Sequence, residues 1–313
     1  LKLNTTGGSN VAVGENALEA NTTASNNTAV GKDALAANTT GTNNTAVGSL
    51  ALDACSTGNR NTAVGYEAAT AVTTAADIDA FGAYALNSNT TGTRNVAFGR
   101  SALQSNTTTD DHTAVGHEAL KLNSTGQNNT AIGKNALTAL TSGTSNTAVG
   151  GSALEANTTQ SQNTAVGFEA LLSNTQDNNV AVGWQAGKLN TTGIITAIGR
   201  RALLNNTTGN YNTGVGYQAA STHTTGDNIT AIGYNALQQN TTASNNTAVG
   251  YNSLTANTTG AFNVAVGALA LDANTTANFN TAIGESALTD NTTGANNTGV
   301  GYNALGDLSL IHI

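Results

Sequence analysis

A glycine recurs every 17 residues along nearly the whole chain, and each one closes a near-copy of Asn-Thr-Ala-Val-Gly. Of the 17 intervals between these marker glycines, 15 are 17 residues long and two are 16. The marker glycines are Gly14, Gly31, Gly48, Gly65, Gly82, Gly99, Gly116, Gly133, Gly150, Gly167, Gly183, Gly199, Gly216, Gly233, Gly250, Gly267, Gly284 and Gly301. A short, regular period is typical of a solenoid, whose single coils cannot bury their apolar side alone. The sequence therefore predicts an all-β, parallel β-solenoid of about 18 coils.

Residues 27–43 represent one coil of this period. Thr28 to Val30 is a short β segment between Asn and Gly, both of which favour turns. Gly31 can take a positive φ at the corner. The pattern predicts a second β segment over 32–37, because six residues are too few for a stable helix. It predicts a return turn over 38–41, where Asn tolerates the left-handed region and bonds its own backbone.

The strand residues leave two possible interiors. The residue two before each marker glycine is Ala except at Gly214 and Gly299, and the residue one before is always Val, Ile or Phe. Adjacent strand residues point to opposite faces, so these two columns cannot share one interior. If Ala lines the interior, a Val/Ile stripe lies outside and needs another chain to cover it, which predicts an oligomer. If Val lines the interior, a monomer is permitted. We favour the first arrangement.

Two columns of asparagine are expected to form hydrogen-bonded ladders between coils. The first, here called the turn ladder, contains Asn21, Asn38, Asn89, Asn106, Asn157, Asn240, Asn257, Asn274 and Asn291. The second, the strand ladder, contains Asn27 and its equivalents. We expect His112 to replace an Asn of the strand ladder, and we place His223 in the same ladder.

Composition limits the classes of function. Only 9% of the 313 residues are charged, the net charge is −8, and no basic run occurs, which argues against nucleic acid and anionic membranes as partners. No apolar run is long enough to span a bilayer. Cys55 is the only cysteine, so an intrachain disulfide is excluded. We expect one solenoid domain over residues 1–307. We expect residues 308–313 to be a non-native tail translated from a sequencing adapter, so that the chain is a fragment.

The motif Asn-Val-Ala-Val-Gly at residues 10–14 and 263–267, and Asn-Val-Ala-Phe-Gly at 95–99, resembles the Asn-Ser-Val-Ala-Ile-Gly repeat of YadA-like head domains in trimeric autotransporter adhesins. Similar repeats occur in phage tail fibres. The resemblance covers residues 1–307, although the coil here is longer than in that family. It implies a left-handed β-roll, a homotrimer, and an extracellular, cell-surface or virion location.

No catalytic constellation emerges from the sequence. The histidines belong to different coils, and the glycines are spaced for turns rather than for phosphate loops. Asp110, Asp111 and His112 are a minor candidate for holding a cation, and His117 with Glu118 is a weaker one. We therefore predict a protein that is not an enzyme, with no catalytic residues, no metal site and no cofactor.

Aromatic residues directly after marker glycines are the strongest binding signal. Tyr217, Tyr234 and Tyr251 lie in three successive coils and are predicted to form an exposed stack, and Phe168 with Trp184 a shorter one. Such strips suit sugar rings, which stack on apolar faces. The alternative is that each ring only shields a corner.

The sequence thus predicts the adhesive shaft or head segment of a fibre, which binds a host-surface glycan or protein through many weak contacts. The alternative is a monomeric ice-binding solenoid. It is suggested by paired threonines in register, beginning at Thr22, Thr39, Thr90, Thr107, Thr158, Thr241, Thr258, Thr275 and Thr292.

Overall fold

The computed structural model describes residues 1–306, and its regular structure consists of short parallel strands, one per coil. Contacts divide the chain into two compact units, of which the first spans Leu1–Gln162 and the second begins at Asn163. The predicted parallel β-solenoid with a 17-residue period is confirmed. The predicted single domain over 1–307 stays a prediction, and the predicted tail at 308–313 lies outside the described residues.

The strands are three or four residues long. The first unit contains Val11–Val13 (β1), Thr28–Val30 (β2), Thr45–Val47 (β3), Thr62–Val64 (β4), Asp79–Phe81 (β5), Val96–Phe98 (β6), Thr113–Val115 (β7), Thr130–Ile132 (β8) and Thr147–Val149 (β9). The second unit contains Thr164–Val166 (β10), Val180–Val182 (β11), Ile195–Ile198 (β12), Asn212–Val215 (β13), Thr230–Ile232 (β14), Thr247–Val249 (β15), Val264–Val266 (β16), Thr281–Ile283 (β17) and Thr298–Val300 (β18).

Within each unit, consecutive strands pair in parallel and in strict register. Ala29 of β2 lies opposite Ala46 of β3, one period later. In the shorter coil after Gly167 the register is kept, because Ala165 lies opposite Ala181, 16 residues later. Equivalent residues of successive coils are therefore stacked at the spacing of paired strands, about 4.8 Å.

The alanine column lies inside and the Val/Ile column outside. Ala29 and Ala34 are fully buried, whereas Ile132 is 39% exposed. This confirms the first of the two interiors considered from the sequence. The core is thin because its most regular residues are alanines, and the larger buried side chains are mostly the leucines four residues after the marker glycines, such as Leu35.

Residues 32–37 form tight turns, so the predicted second β segment is wrong. Asp33 and Leu35 adopt left-handed φ values of 57° and 52°. A left-handed residue with a side chain costs roughly 1–2 kcal/mol. Burying a leucine completely stabilises the fold by about 1.5–3 kcal/mol, which offsets that cost at Leu35. Its N–H also donates to the carbonyl of Ala51 in the next coil at 3.0 Å.

Two features require glycine at the marker positions: a positive φ and close contact with the backbone of the next coil. Gly133 has a φ of 137°, which confirms the positive φ expected at the corner. A Cβ atom there would lie 2.5 Å from the carbonyl carbon and oxygen of Gly150 in the next coil. The marker glycines of each unit therefore form a column in which backbone packs directly on backbone.

The return turn differs in detail from its prediction. The side-chain amide of Asn38 donates to the carbonyl of Gly41 at 3.0 Å, as expected for an Asn that bonds its own backbone. The left-handed residue, however, is Asn43, with a φ of 60°, five positions later. Gly41 is needed because a Cβ atom there would overlap the carbonyl oxygen of Gly58.

Candidate functional site

The outward side of the strands, here called the strand face, carries two columns of side chains. One column is Val, Ile or Phe directly before the marker glycine, and the other is Thr or Val two residues earlier. Asp79 is the one charged residue in these two columns over the described chain. Phe81 and Phe98 stack on this face with ring centroids 4.2 Å apart. The strand face is therefore a regular, almost uncharged surface.

A second surface follows the marker glycines of the second unit. Tyr217, Tyr234 and Tyr251 each come directly after a marker glycine, so the register of β13, β14 and β15 stacks them. The ring centroids of Tyr217 and Tyr234 are 5.1 Å apart with planes 8° apart, and those of Tyr234 and Tyr251 are 5.4 Å and 15° apart. Tyr234 and Tyr251 are about half exposed. The predicted exposed stack is confirmed.

The predicted stack of Phe168 on Trp184 is wrong. Phe168 is exposed, but the ring pairs found within residues 1–306 do not include these two. Trp184 instead packs against two guanidinium groups, since the Cζ atoms of Arg200 and Arg201 both lie 4.9 Å from its ring centroid.

Arg200 joins the tryptophan to the tyrosine stack. Its Cζ lies 5.3 Å from the ring centroid of Tyr217, and its Nη1 donates to the phenol oxygen of Tyr217 at 3.0 Å. Trp184, Arg200, Tyr217, Tyr234 and Tyr251 thus occupy the same position in five successive coils, and they are called the corner strip below. Arg200 is not among the residues predicted from the sequence, although it follows Gly199 as Tyr217 follows Gly216.

Around the corner strip, the carboxylate of Glu169 has a basic partner, whereas two arginines have no acidic partner among the described residues. Glu169 pairs with Lys188 at 2.6 Å and accepts a bond from Gln185 at 2.8 Å, and these two partners lower the pKa of Glu169. Arg201 donates to the side-chain oxygen of Gln185 at 3.3 Å. Among the described residues, no carboxylate oxygen lies within 4 Å of Arg200 or Arg201. Arg200 of the strip and the adjacent Arg201 therefore carry two positive charges without acidic partners within residues 1–306, in a chain of net charge −8.

Stacking decides which parts of the rings a ligand can reach. Tyr217 lies between Arg200 and Tyr234, and Tyr234 lies between Tyr217 and Tyr251. Both faces of these two rings are therefore covered, and a sugar cannot stack on them as the sequence suggested. The strip presents ring edges, phenol oxygens and guanidinium groups instead.

The paired threonines are only half available. In six of the nine pairs named above, the first hydroxyl donates to a backbone carbonyl of the next coil, as that of Thr39 does to the carbonyl of Ser56 at 3.1 Å. The second threonine, such as Thr40, is exposed. In these six pairs one hydroxyl is therefore engaged by the protein itself.

The turn ladder forms where asparagine follows asparagine. Nδ2 of Asn38 donates to Oδ1 of Asn21 at 3.0 Å. The ladder is interrupted at Cys55, which leaves Oδ1 of Asn38 without a partner, and it resumes where Nδ2 of Asn106 donates to Oδ1 of Asn89 at 3.0 Å. Burial raises the pKa of the Cys55 thiol to about 11, so it is not a thiolate nucleophile.

The strand ladder is built mainly from bonds between side chains and the backbone. Oδ1 of Asn27 accepts from the backbone N–H of Asn44 at 2.9 Å, and its Nδ2 donates to the carbonyl of Gly41 at 2.8 Å. A bond between two amides is also found, from Nδ2 of Asn146 to Oδ1 of Asn129 at 3.2 Å.

The two buried histidines are ladder residues. His112 lies in the strand ladder, as predicted, and its Nδ1 accepts from the backbone N–H of Asn129 at 3.2 Å. His223 lies in the turn ladder, not in the strand ladder as the sequence suggested, and its Nδ1 is 2.9 Å from Nδ2 of Asn240. Burial lowers the pKa of both imidazoles.

The candidate cation sites do not form. Asp110 and Asp111 pair with Arg94 at 3.4 and 2.6 Å, and His112 turns into the interior. Glu118 pairs with Lys121 at 3.0 Å. Over residues 1–306 there is no group of three His, Cys, Asp or Glu side chains that could hold a metal ion.

Searches against protein-family models and against curated proteins found no match for this chain. In the part of the chain that the structure describes, no helix has the length and apolar character needed to cross a membrane.

Proposed function

We propose that this chain is the adhesive shaft or head segment of an extracellular or virion fibre, assembled from three copies. Its role is structural and non-enzymatic. Stacked coils hold identical side chains in register, so that weak contacts with a surface add together along the chain.

The strand face is the observation that supports this proposal. Each described coil contributes one Val, Ile or Phe to it, and among these Ile132, Ile198 and Ile283 are 39–42% exposed. Continuous apolar surface of this kind on a soluble protein marks a contact with another chain. Because the columns are regular and nearly uncharged, two or three copies can meet along the strand face of each unit without burying unpaired charges.

The molar mass in solution tests the proposal. We expect light scattering of the purified chain to give three times the mass of one chain. Ile132→Lys places a charge within the strand face and is expected to shift the mass toward the monomer. Thr125→Lys is the matched control, because Thr125 is exposed in the same coil but lies outside the strand face. A monomeric wild-type chain at every concentration contradicts the proposal.

Ice binding is the second candidate, and one observation favours it. In 13 of the 18 strands Thr and either Val or Ile point outward, as Thr28 and Val30 do, so the strand face is largely a two-column array of hydroxyl and methyl groups. These strand threonines differ from the turn threonines that suggest ice binding from the sequence.

The two candidates require opposite states of one surface, because assembly covers the strand face and ice binding needs it free. A thermal-hysteresis measurement on the monomeric fraction separates them. Thermal hysteresis that Ile132→Lys abolishes supports ice binding, and its absence at high concentration removes that candidate.

A further inference from the structure

We propose that the corner strip binds an acidic polysaccharide, with a sugar carboxylate on Arg200 and Arg201 and sugar hydroxyls along the edges of the tyrosines. This inference deepens the surface-binding role of the proposed function and names the class of its ligand.

The two arginines are prepared for an anion. Both guanidinium groups pack on Trp184, which orients them and limits their freedom before binding. Neither has a carboxylate within 4 Å among the described residues, and the nearby Glu169 is already paired with Lys188. A planar guanidinium suits a carboxylate because it can donate two parallel hydrogen bonds.

The tyrosines extend the site along the coils. The centroid steps of 5.1 and 5.4 Å between Tyr217, Tyr234 and Tyr251 are close to the advance per sugar in an extended 1,4-linked chain. Because the ring faces cover one another, successive sugars meet phenol groups, which both donate and accept hydrogen bonds. A chain lying along the strip can thus place one sugar beside each coil.

Other polyanions fit the strip less well. Around the corner strip, the positive charges without a carboxylate partner among the described residues are Arg200 and Arg201, in one coil, whereas nucleic acid needs basic residues along its whole track. Single-stranded nucleic acid also binds by stacking bases on open aromatic faces, and those of Tyr217 and Tyr234 are covered. A partner rich in hydroxyls, with carboxylates at intervals, matches both parts of the site.

The test is calorimetric titration of the full chain with a β-1,4-linked oligomannuronate and with its fully methyl-esterified form. The two probes share a backbone and differ in charge. We expect the acidic form to bind at least about tenfold more tightly, because hydrogen bonds to charged groups contribute more than neutral ones. Equal affinity for the two forms overturns the proposal.

Two pairs of variants locate the site. Arg200→Gln with Arg201→Gln is expected to weaken binding of the acidic probe about tenfold or more, whereas Arg60→Gln with Arg94→Gln, which removes arginines already paired with aspartates, is expected to change nothing. Tyr234→Phe keeps the stack and removes one hydroxyl, so we expect a loss of about threefold, and Tyr66→Phe serves as its control. A loss of equal size in both arginine pairs contradicts the assignment.

The outcome is separable from that of the proposed function. A trimer that does not bind the acidic probe overturns this inference and leaves the fibre proposal standing. A monomer that binds the acidic probe through Arg200 and Arg201 supports this inference and overturns the proposal of a trimeric fibre.

Discussion

The two units have interiors of the same kind, but their surfaces differ. In the first unit, Arg60 and Arg94 donate to Asp77 and Asp111, each one coil further on, at 2.6 Å. In the second unit, Arg200 meets aromatic rings one coil away on either side and has no acidic partner among the described residues. The same scaffold therefore makes a closed charge ladder in one place and an open cationic strip in the other. The residue one period away determines whether an arginine has a carboxylate partner within the protein or is free to bind a ligand.

The largest effect should come from breaking the shared interior, and it should be equal in the two units. Gly133→Ala and Gly233→Ala each force a side chain into a φ of 137° and against the carbonyl of the next marker glycine. We expect each to destabilise the protein by about 3 kcal/mol or more. Gly8→Ala, where a Cβ atom meets nothing within 4 Å, is the neutral control. Urea denaturation followed by circular dichroism measures the three variants, and tolerance of Ala at Gly133 would contradict the close packing.

Acid should weaken the interior of both units through His112 and His223. Burial lowers the pKa of each imidazole below its ordinary value of 6.5, so the folded state holds them neutral. Below about pH 6.5 the unfolded chain gains protons that the folded chain does not, and stability falls with pH until the folded pKa is passed.

The double variant His112→Asn, His223→Asn restores the usual ladder residue at both places. We expect its midpoint of thermal unfolding to fall less than that of the wild type between neutral pH and about pH 5. Equal losses in the two proteins would assign the acid sensitivity to other groups.

The tyrosine stack should contribute to stability in proportion to its contacts. Tyr234→Ala removes two stacked contacts and Tyr251→Ala removes one. At roughly 0.5–1.5 kcal/mol for each aromatic pair, we expect a loss of about 2 kcal/mol for the first and half of that for the second. Tyr302→Ala is the control, since Tyr302 is 81% exposed. Thermal unfolding ranks the three, and equal effects at Tyr234 and Tyr251 would be inconsistent with additive stacking.

The smallest effect should come from the surface charges that distinguish the units. Arg60→Gln removes an exposed ion pair, which salt screens, so its small loss of thermal stability should disappear at high ionic strength. Arg200→Gln removes a contact with aromatic rings, and its effect should persist in salt. A salt-dependent effect at Arg200 would indicate an acidic partner that the structure does not show.

The period made most of the fold predictable. Because each coil has one strand, the period alone places Ala29 beside Ala46 and Tyr217 beside Tyr234. The alanine column contains only Ala and Gly, and this restriction to small residues identifies it as the interior. Local conformation was less predictable. Leu35 adopts a left-handed backbone because burial outweighs its intrinsic cost, and no propensity rule for leucine anticipates this.

The candidate site was found only in part for a related reason. A search for rings finds Tyr217, Tyr234 and Tyr251, but it passes over Arg200, which fills the same column with a cation. The predicted contact of Phe168 with Trp184 failed because Trp184 packs on the following coil, against Arg200 and Arg201, instead of on the preceding one. When all residues at one position of the period are compared, whatever their type, Arg200 is seen to lie between Trp184 and Tyr217.

The shortened coil after Gly167 has a consequence for how such a gene changes. One residue is missing from the return turn between Asn174 and Asn179, yet Ala165 still pairs with Ala181. A return turn tolerates the loss of a single residue, whereas the strand and the marker glycine keep their register only when a whole coil is added or removed. Recombination between copies can therefore remove or add an entire in-frame unit without disturbing its neighbours, so that the number of coils can change by one whole coil at a time.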